Sequence, residues 1–192
     1  MSDPERDADN GGGDAGDEDP SGEPPENDGQ QFDRLPETAD ERVVPGRPTR
    51  DEVIDWWEQR YDVPPETWDG HTFWEKGNGK IWAFAASVVS PIAVEGLGMR
   101  ILRARQEHWK PSTNAVQRFG GEATKNVVVL DGEEATTFAK GEDQELPRWE
   151  GDWGYVIAAH EIAGDVEPIG VGLYLHGELR STVPKGRRED LS

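Results

Sequence analysis

The stretch Pro168–Arg188, PIGVGLYLHGELRSTVPKGRR, constrains this chain more than any other. Apolar residues alternate with small ones up to Leu175, and Gly177 then turns the chain into Glu178–Val183. That pattern is a glycine-punctuated β-hairpin, so the chain must build a sheet around it. The hairpin ends in Arg180, Lys185, Arg187 and Arg188, with no acidic residue between Glu178 and Arg188. Yet the whole protein carries a formal net charge of −20. An acidic chain that keeps one segment purely basic is expected to reserve it for a polyanion, and nucleic acid is the first candidate.

Other segments add short elements. PTRDEVIDWWEQRYDVPP predicts a helix from Arg50 to Tyr61, with Thr49 and Glu52 forming a capping box and Pro64 and Pro65 stopping it. Gly77-Asn78-Gly79 lies between two apolar runs and signals a hairpin. Leu97–Arg103 reads as a strand, and Lys110–Phe119 as a short helix opened by Pro111 or Ser112. The β-branched run Asn126–Leu130 predicts a buried strand, and Asp131 with Glu134 a second capping box for a helix running to about Lys140. Trp153–Ala159 and Glu167–Leu175 complete the strands. No Gly-rich βα turn is present, so an α+β fold is expected: a mixed β-barrel with short peripheral helices, not a parallel α/β sheet.

Composition sets the limits. Residues up to about Gln31 contain almost no large apolar side chain and cannot offset their ordering entropy. Residues 1–42 are therefore expected to form a disordered acidic tail, and residues 43–192 one domain with a helical lead-in. Acids outnumber bases 40 to 20. Arg outnumbers Lys 14 to 6, and this balance resembles that of proteins from salt-loving organisms. At roughly 1 M ionic strength the Debye length falls to about 3 Å, so the local arrangement of charge matters more than the sum. The acidic N-terminus lacks the apolar stretch of a secretion signal. The longest apolar run, Ile81–Val94, carries Ser87, Ser90 and Pro91 and is too short to span a bilayer. A soluble, cytoplasmic protein without membrane contact is expected.

Catalytic signatures are weak. Cys is 0, which removes disulfides, thiolate metal sites and a cysteine nucleophile. His71, His108, His160 and His176 lack metal-ligand spacing. GNGK at Gly77–Lys80 lacks the GxxxxGK[ST] spacing of a phosphate loop. Glu142 and Asp143 sit in GEDQELP, where an ordered loop suffices to explain them, and Ser112 has no evident base. A chain without catalysis, cofactor or metal is the expectation.

Binding is better supported. RNA recognition needs fixed cations for phosphate oxygens and a flat ring for a base, with Arg favoured for planar, bidentate contact. Two basic clusters supply the cations: Arg100, Arg103, Arg105 and Lys110, then Arg180, Lys185, Arg187 and Arg188. Trp109 lies in the first cluster and Tyr174 just before the second. Gly170, Gly172 and Gly186 could expose backbone to a ligand, although strand packing can also demand glycine. The alternative is a protein adaptor for an RNA-modifying enzyme, anchored through some of the 8 tryptophans.

Four fragments in order carry a resemblance: GMRILRARQEHWKPS, TFAKGEDQELP, GYVIAA and PIGVGLYLHGELRSTVPKGRR. Together they resemble the PUA-like RNA-binding domain that ends the Sun-family RNA cytosine-5 methyltransferases, over about Tyr61 to Leu191. The resemblance implies a PUA-type pseudo-barrel that binds tRNA or rRNA in RNA modification or ribosome assembly. It places Arg180, Lys185, Arg187 and Arg188 at the family's basic ending. Arg100 and Arg103 fall on its earlier basic strand, with Lys110 beside the Pro-Ser helix start. Ser181 stands where Asn is commoner, and Arg187 where Leu is frequent. The methyltransferase half and its cysteines have no counterpart here, so the implied partner is RNA, with an RNA-modifying enzyme or a ribosomal subunit beside it.

Overall fold

The computed structural model describes residues 30–184 apart from Asn78 and Gln106. Lys185, Arg187, Arg188 and Gly186 lie outside the described residues, as does most of the expected tail.

The described residues fold as α+β around two five-stranded sheets. The first is an antiparallel meander in chain order: β1 (Asp33–Arg34), β2 (Thr72–Glu75), β3 (Lys80–Phe84), β4 (Met99–Arg103) and β5 (Lys110–Pro111). The second joins β6 (Val127–Leu130), β7 (Gln144–Glu145), β8 (Gly154–Ile162), β9 (Asp165–Leu175) and β10 (Glu178–Ser181) in the order β6-β8-β9-β10-β7. Only the β6–β8 pairing is parallel; the other pairings are antiparallel. Helices α1 (Arg50–Tyr61), α2 (Thr113–Phe119) and α3 (Gly132–Ala139) pack on these sheets. Among the described residues no helix is long and apolar enough to cross a membrane.

Both expected capping boxes form. Thr49 Oγ1 accepts from the Glu52 amide at 3.1 Å, and the Glu52 carboxylate accepts from the Thr49 amide at 3.0 Å. Asp131 and Glu134 make the same exchange at α3. Each box satisfies two of the amides that a helix start leaves open.

The main core lies between the sheets. Val53, Trp57 and Tyr61 of α1 meet Phe73, Ile81, Ile101 and Leu102 of the first sheet, Ala115 and Val116 of α2, and Ile157 and Val171 of the second. The opposite face of the second sheet packs Val156, Ala158, Tyr174 and Leu179 against Phe138 of α3. Phe32, Trp74 and Leu97 close the outer face of the first sheet.

Three sequence expectations change. Order does not begin at Val43: Phe32 is fully buried, β1 pairs with β2, and Arg47 links Asp33 and Glu75 in a largely buried ion pair. An apolar Phe and Leu35 within a polar stretch were enough to anchor it. Lys110 and Pro111 are not helical; they pair with Arg103 and Leu102, and the helix starts only after Ser112. The strand Val127–Leu130 lies at a sheet edge, so Val129 is 46% exposed instead of buried.

Candidate functional site

The strand β4, the short β5 and the start of α2 fold back on one another and form one wall of a groove. Arg103 stands opposite Lys110 in the pairing, and the Ser112 amide donates to the Ile101 carbonyl at 2.9 Å. Ser112 Oγ donates to the Arg100 carbonyl at 2.6 Å and accepts from the Ala115 amide at 3.1 Å. One serine thus fixes strand, bend and helix together. Thr182 and Pro184, just beyond β10, supply another wall. Thr182 is held by its hydroxyl, which donates to the Val171 carbonyl at 2.6 Å. Trp82 of β3, opposite Arg100 in register and edge-on to Phe32 at 5.3 Å, completes the groove.

The groove has a volume of about 660 Å³, and Arg100, Arg103 and Lys110 all line it. No Asp or Glu occurs among the described residues that line it. That is unusual in a chain with 40 acids. Seven other described arginines (Arg34, Arg42, Arg47, Arg50, Arg60, Arg148 and Arg180) each pair with a carboxylate, whereas Arg100 and Arg103 do not. Among the described residues Arg105 and Arg118 also lack such a partner, but they do not line the groove. Lys110 Nζ sits over the Tyr155 ring, 5.3 Å from its centroid.

The electrostatics follow from that crowding. Partial burial lowers the pKa of both Arg100 and Lys110 from their ordinary values, and the neighbouring Arg103 lowers them further. Like charges held partly desolvated, with no carboxylate partner among the described residues, form a site that gains when an anion enters.

The structure therefore brings together three of the expected residues, Arg100, Arg103 and Lys110, and separates the others. Tyr174 is no stacking platform: it is buried in the core beneath α3, and its hydroxyl donates to the Leu146 carbonyl at 3.1 Å. Arg180 is exposed but turned away from the groove. Its Nε donates to Glu178 at 2.7 Å, and Glu178 raises its pKa, with Asp143 adding a smaller push. Strand alternation explains both, since Leu179 takes the inward place between Glu178 and Arg180. Arg105 lies where the β4–β5 connection meets the β2–β3 hairpin, backed against Gly79, whose carbonyl accepts from the Ala104 amide at 2.7 Å. Lys185, Arg187 and Arg188 fall outside the described residues, although Pro184, which precedes them, lines the groove.

Gly170 and Gly172 offer no open backbone to a ligand. Both are buried in β9, and a Cβ at Gly170 would come within 3.0 Å of the Phe138 ring. The sequence reading missed Trp82, which only the β3–β4 register brings to the groove, and Thr182. No group of His, Cys, Asp and Glu among the described residues has the arrangement of a metal site.

Residues 17–98 match the model of a family of unknown function (DUF7122). No curated protein matches the chain. The matched stretch contributes α1 and β1–β3 and stops at Gly98, directly before β4. It therefore includes Trp82 and Gly98 from the groove, while the three cations come from residues beyond it.

Proposed function

We propose that this protein binds structured RNA, transfer or ribosomal, without catalysing a reaction on it, through the groove of Arg100, Arg103 and Lys110. One observation carries the reading: these three cations converge on one cavity whose described lining holds no carboxylate, in a protein with 40 acids. Phosphate oxygens would supply the missing counter-charge, and two guanidinium forks suit them better than point charges do. The four sequence fragments similar to a PUA-like domain support the same reading, and β4, β5, β9 and β10 include much of them. On this reading the fold is a PUA-type pseudo-barrel. The protein then serves a separate RNA-modifying enzyme or ribosome assembly in the cytoplasm of a salt-adapted cell.

The test is binding of total tRNA and of rRNA in molar KCl by the full chain and by an Arg100→Ala/Arg103→Ala/Lys110→Ala variant. Loss of three charge-assisted contacts is expected to weaken binding at least about a hundredfold. It should also flatten the slope of log affinity against log salt by about 2. Equal affinity of variant and parent would overturn the reading.

A protein adaptor has one feature in its favour. Ile162 and Val166 flank the β8–β9 turn and are about half exposed, an apolar tip on a long hairpin. The tryptophans give it less support, because Trp57, Trp68 and Trp74 are fully buried. A protein partner retained on the chain after nuclease treatment would favour this alternative.

A further inference from the structure

Beside the cationic groove lies a second cavity of about 290 Å³, and its walls are aromatic: Trp56, Trp109, Trp153 and Tyr155. Trp56 is fixed by edge contacts to Trp57 at 5.4 Å and Tyr61 at 5.5 Å, and it leans on Trp109 at 6.0 Å. Trp153 forms the outer rim, 59% exposed and propped by His176 at 4.6 Å. Gly154 between Trp153 and Tyr155 contributes no side chain to block the space. Packing thus holds three of the rings in place and leaves the fourth open to solvent.

Charge decides what such a pocket takes. An aromatic cage for an organic cation needs negative surroundings. Here the lining carries one carboxylate, Glu107, beside His108 and the Arg60 guanidinium; Arg60 is itself paired with Asp152 at 3.4 Å, and the Lys110 ammonium lies over Tyr155. Arg60 is already committed, donating to the Tyr155 carbonyl at 2.8 Å and the Trp153 carbonyl at 3.0 Å, so it cannot swing away. Two carboxylates against two cations leave no net negative charge to draw a cation in, and a flat, uncharged ring suits the aromatic walls. Lys110 lines the larger groove and caps Tyr155, which lines the smaller one, so one contact joins the walls of the two cavities.

We infer that the aromatic cavity receives an unpaired nucleobase from a strand whose phosphates lie on Arg100, Arg103 and Lys110. The substrate class is therefore RNA with a single-stranded segment next to a helix, not continuous duplex. This rests on the RNA-binding reading above. The experiment uses the full chain, a blunt RNA hairpin, and the same hairpin extended by a single-stranded overhang. The parent protein is expected to bind the extended RNA about tenfold more tightly, the effect of one stacked base. Trp153→Ala, at an exposed position where folding is not at risk, should remove that preference and leave blunt-hairpin affinity unchanged, and Tyr155→Leu, which takes a ring from the pocket, should remove the preference as well. Arg103→Ala should weaken both RNAs alike. A parent without the preference, or a preference kept in both aromatic variants, overturns the base pocket while the groove stands. If Arg103→Ala changes neither RNA, the groove reading falls and the pocket with it.

Discussion

Lys110 carries a charge that its surroundings disfavour: partial burial comes first, and the adjacent Arg103 adds repulsion. Its pKa in the folded protein is therefore lower than in an unfolded chain, where lysine titrates near about 10.4. The unfolded chain binds the proton more firmly, so this group adds stability as pH rises between the two values. Binding works in the opposite sense. A phosphate on Lys110 favours the ammonium, so RNA affinity is constant while Lys110 is charged and falls as pH climbs past its lowered pKa. Affinity measured against pH with an alkali-resistant 2′-O-methyl RNA should start to fall below the usual lysine range. Lys110→Arg, which stays charged, should flatten that fall. Identical profiles for the two proteins would place Lys110 outside the contact.

Local elements were the most readable in the sequence. The capping boxes at Thr49 and Asp131 and the Gly77–Gly79 hairpin depend on residues within a few positions of one another, so spacing alone found them. The side chains of β9 and β10 were less readable, because the second sheet is covered on both faces. Val171 enters the core between the sheets while Tyr174 enters the core under α3, so alternation marks no solvent side and Tyr174 could pass for an exposed ring. The strand β5 was missed because two residues carry no period; only pairing with β4 defines it. The groove was legible in part for the same reason. Arg100, Arg103 and Lys110 lie close in sequence, whereas Trp82 and Thr182 arrive through long-range pairing. Gly170 shows how packing, not ligand approach, explains a strand glycine. Its missing side chain leaves room for the Phe138 ring of α3 against β9, and a methyl there meets the ring at 3.0 Å. Gly170→Ala is expected to cost about 2 kcal/mol in urea unfolding, since the buried ring has little room to move. RNA affinity of the folded variant should equal that of the parent; an RNA defect without a stability loss would return Gly170 to the binding surface.

Across the whole molecule, the difficulty for an RNA-binding reading is the net charge of −20, which repels a polyanion at long range. Half of that charge belongs to residues 1–29, which hold eleven acids and one base, a net −10. Repulsion of this kind acts through solvent and is screened, whereas contact in the groove is short-range. At 0.1 M salt the Debye length is about 10 Å, so charges near the groove still act; at 1 M it is about 3 Å and they do not. Removing residues 1–29 should therefore raise RNA affinity in dilute buffer and leave it unchanged in molar KCl. The comparison separates two roles for the acidic stretch. A gain confined to low salt identifies it as a diffuse repulsive field, which a saline interior would silence and leave the groove unopposed. A gain that persists in molar KCl identifies a direct contact, carboxylates occupying Arg100, Arg103 and Lys110 in place of phosphate, and RNA would then bind only by displacing the protein's own N-terminus.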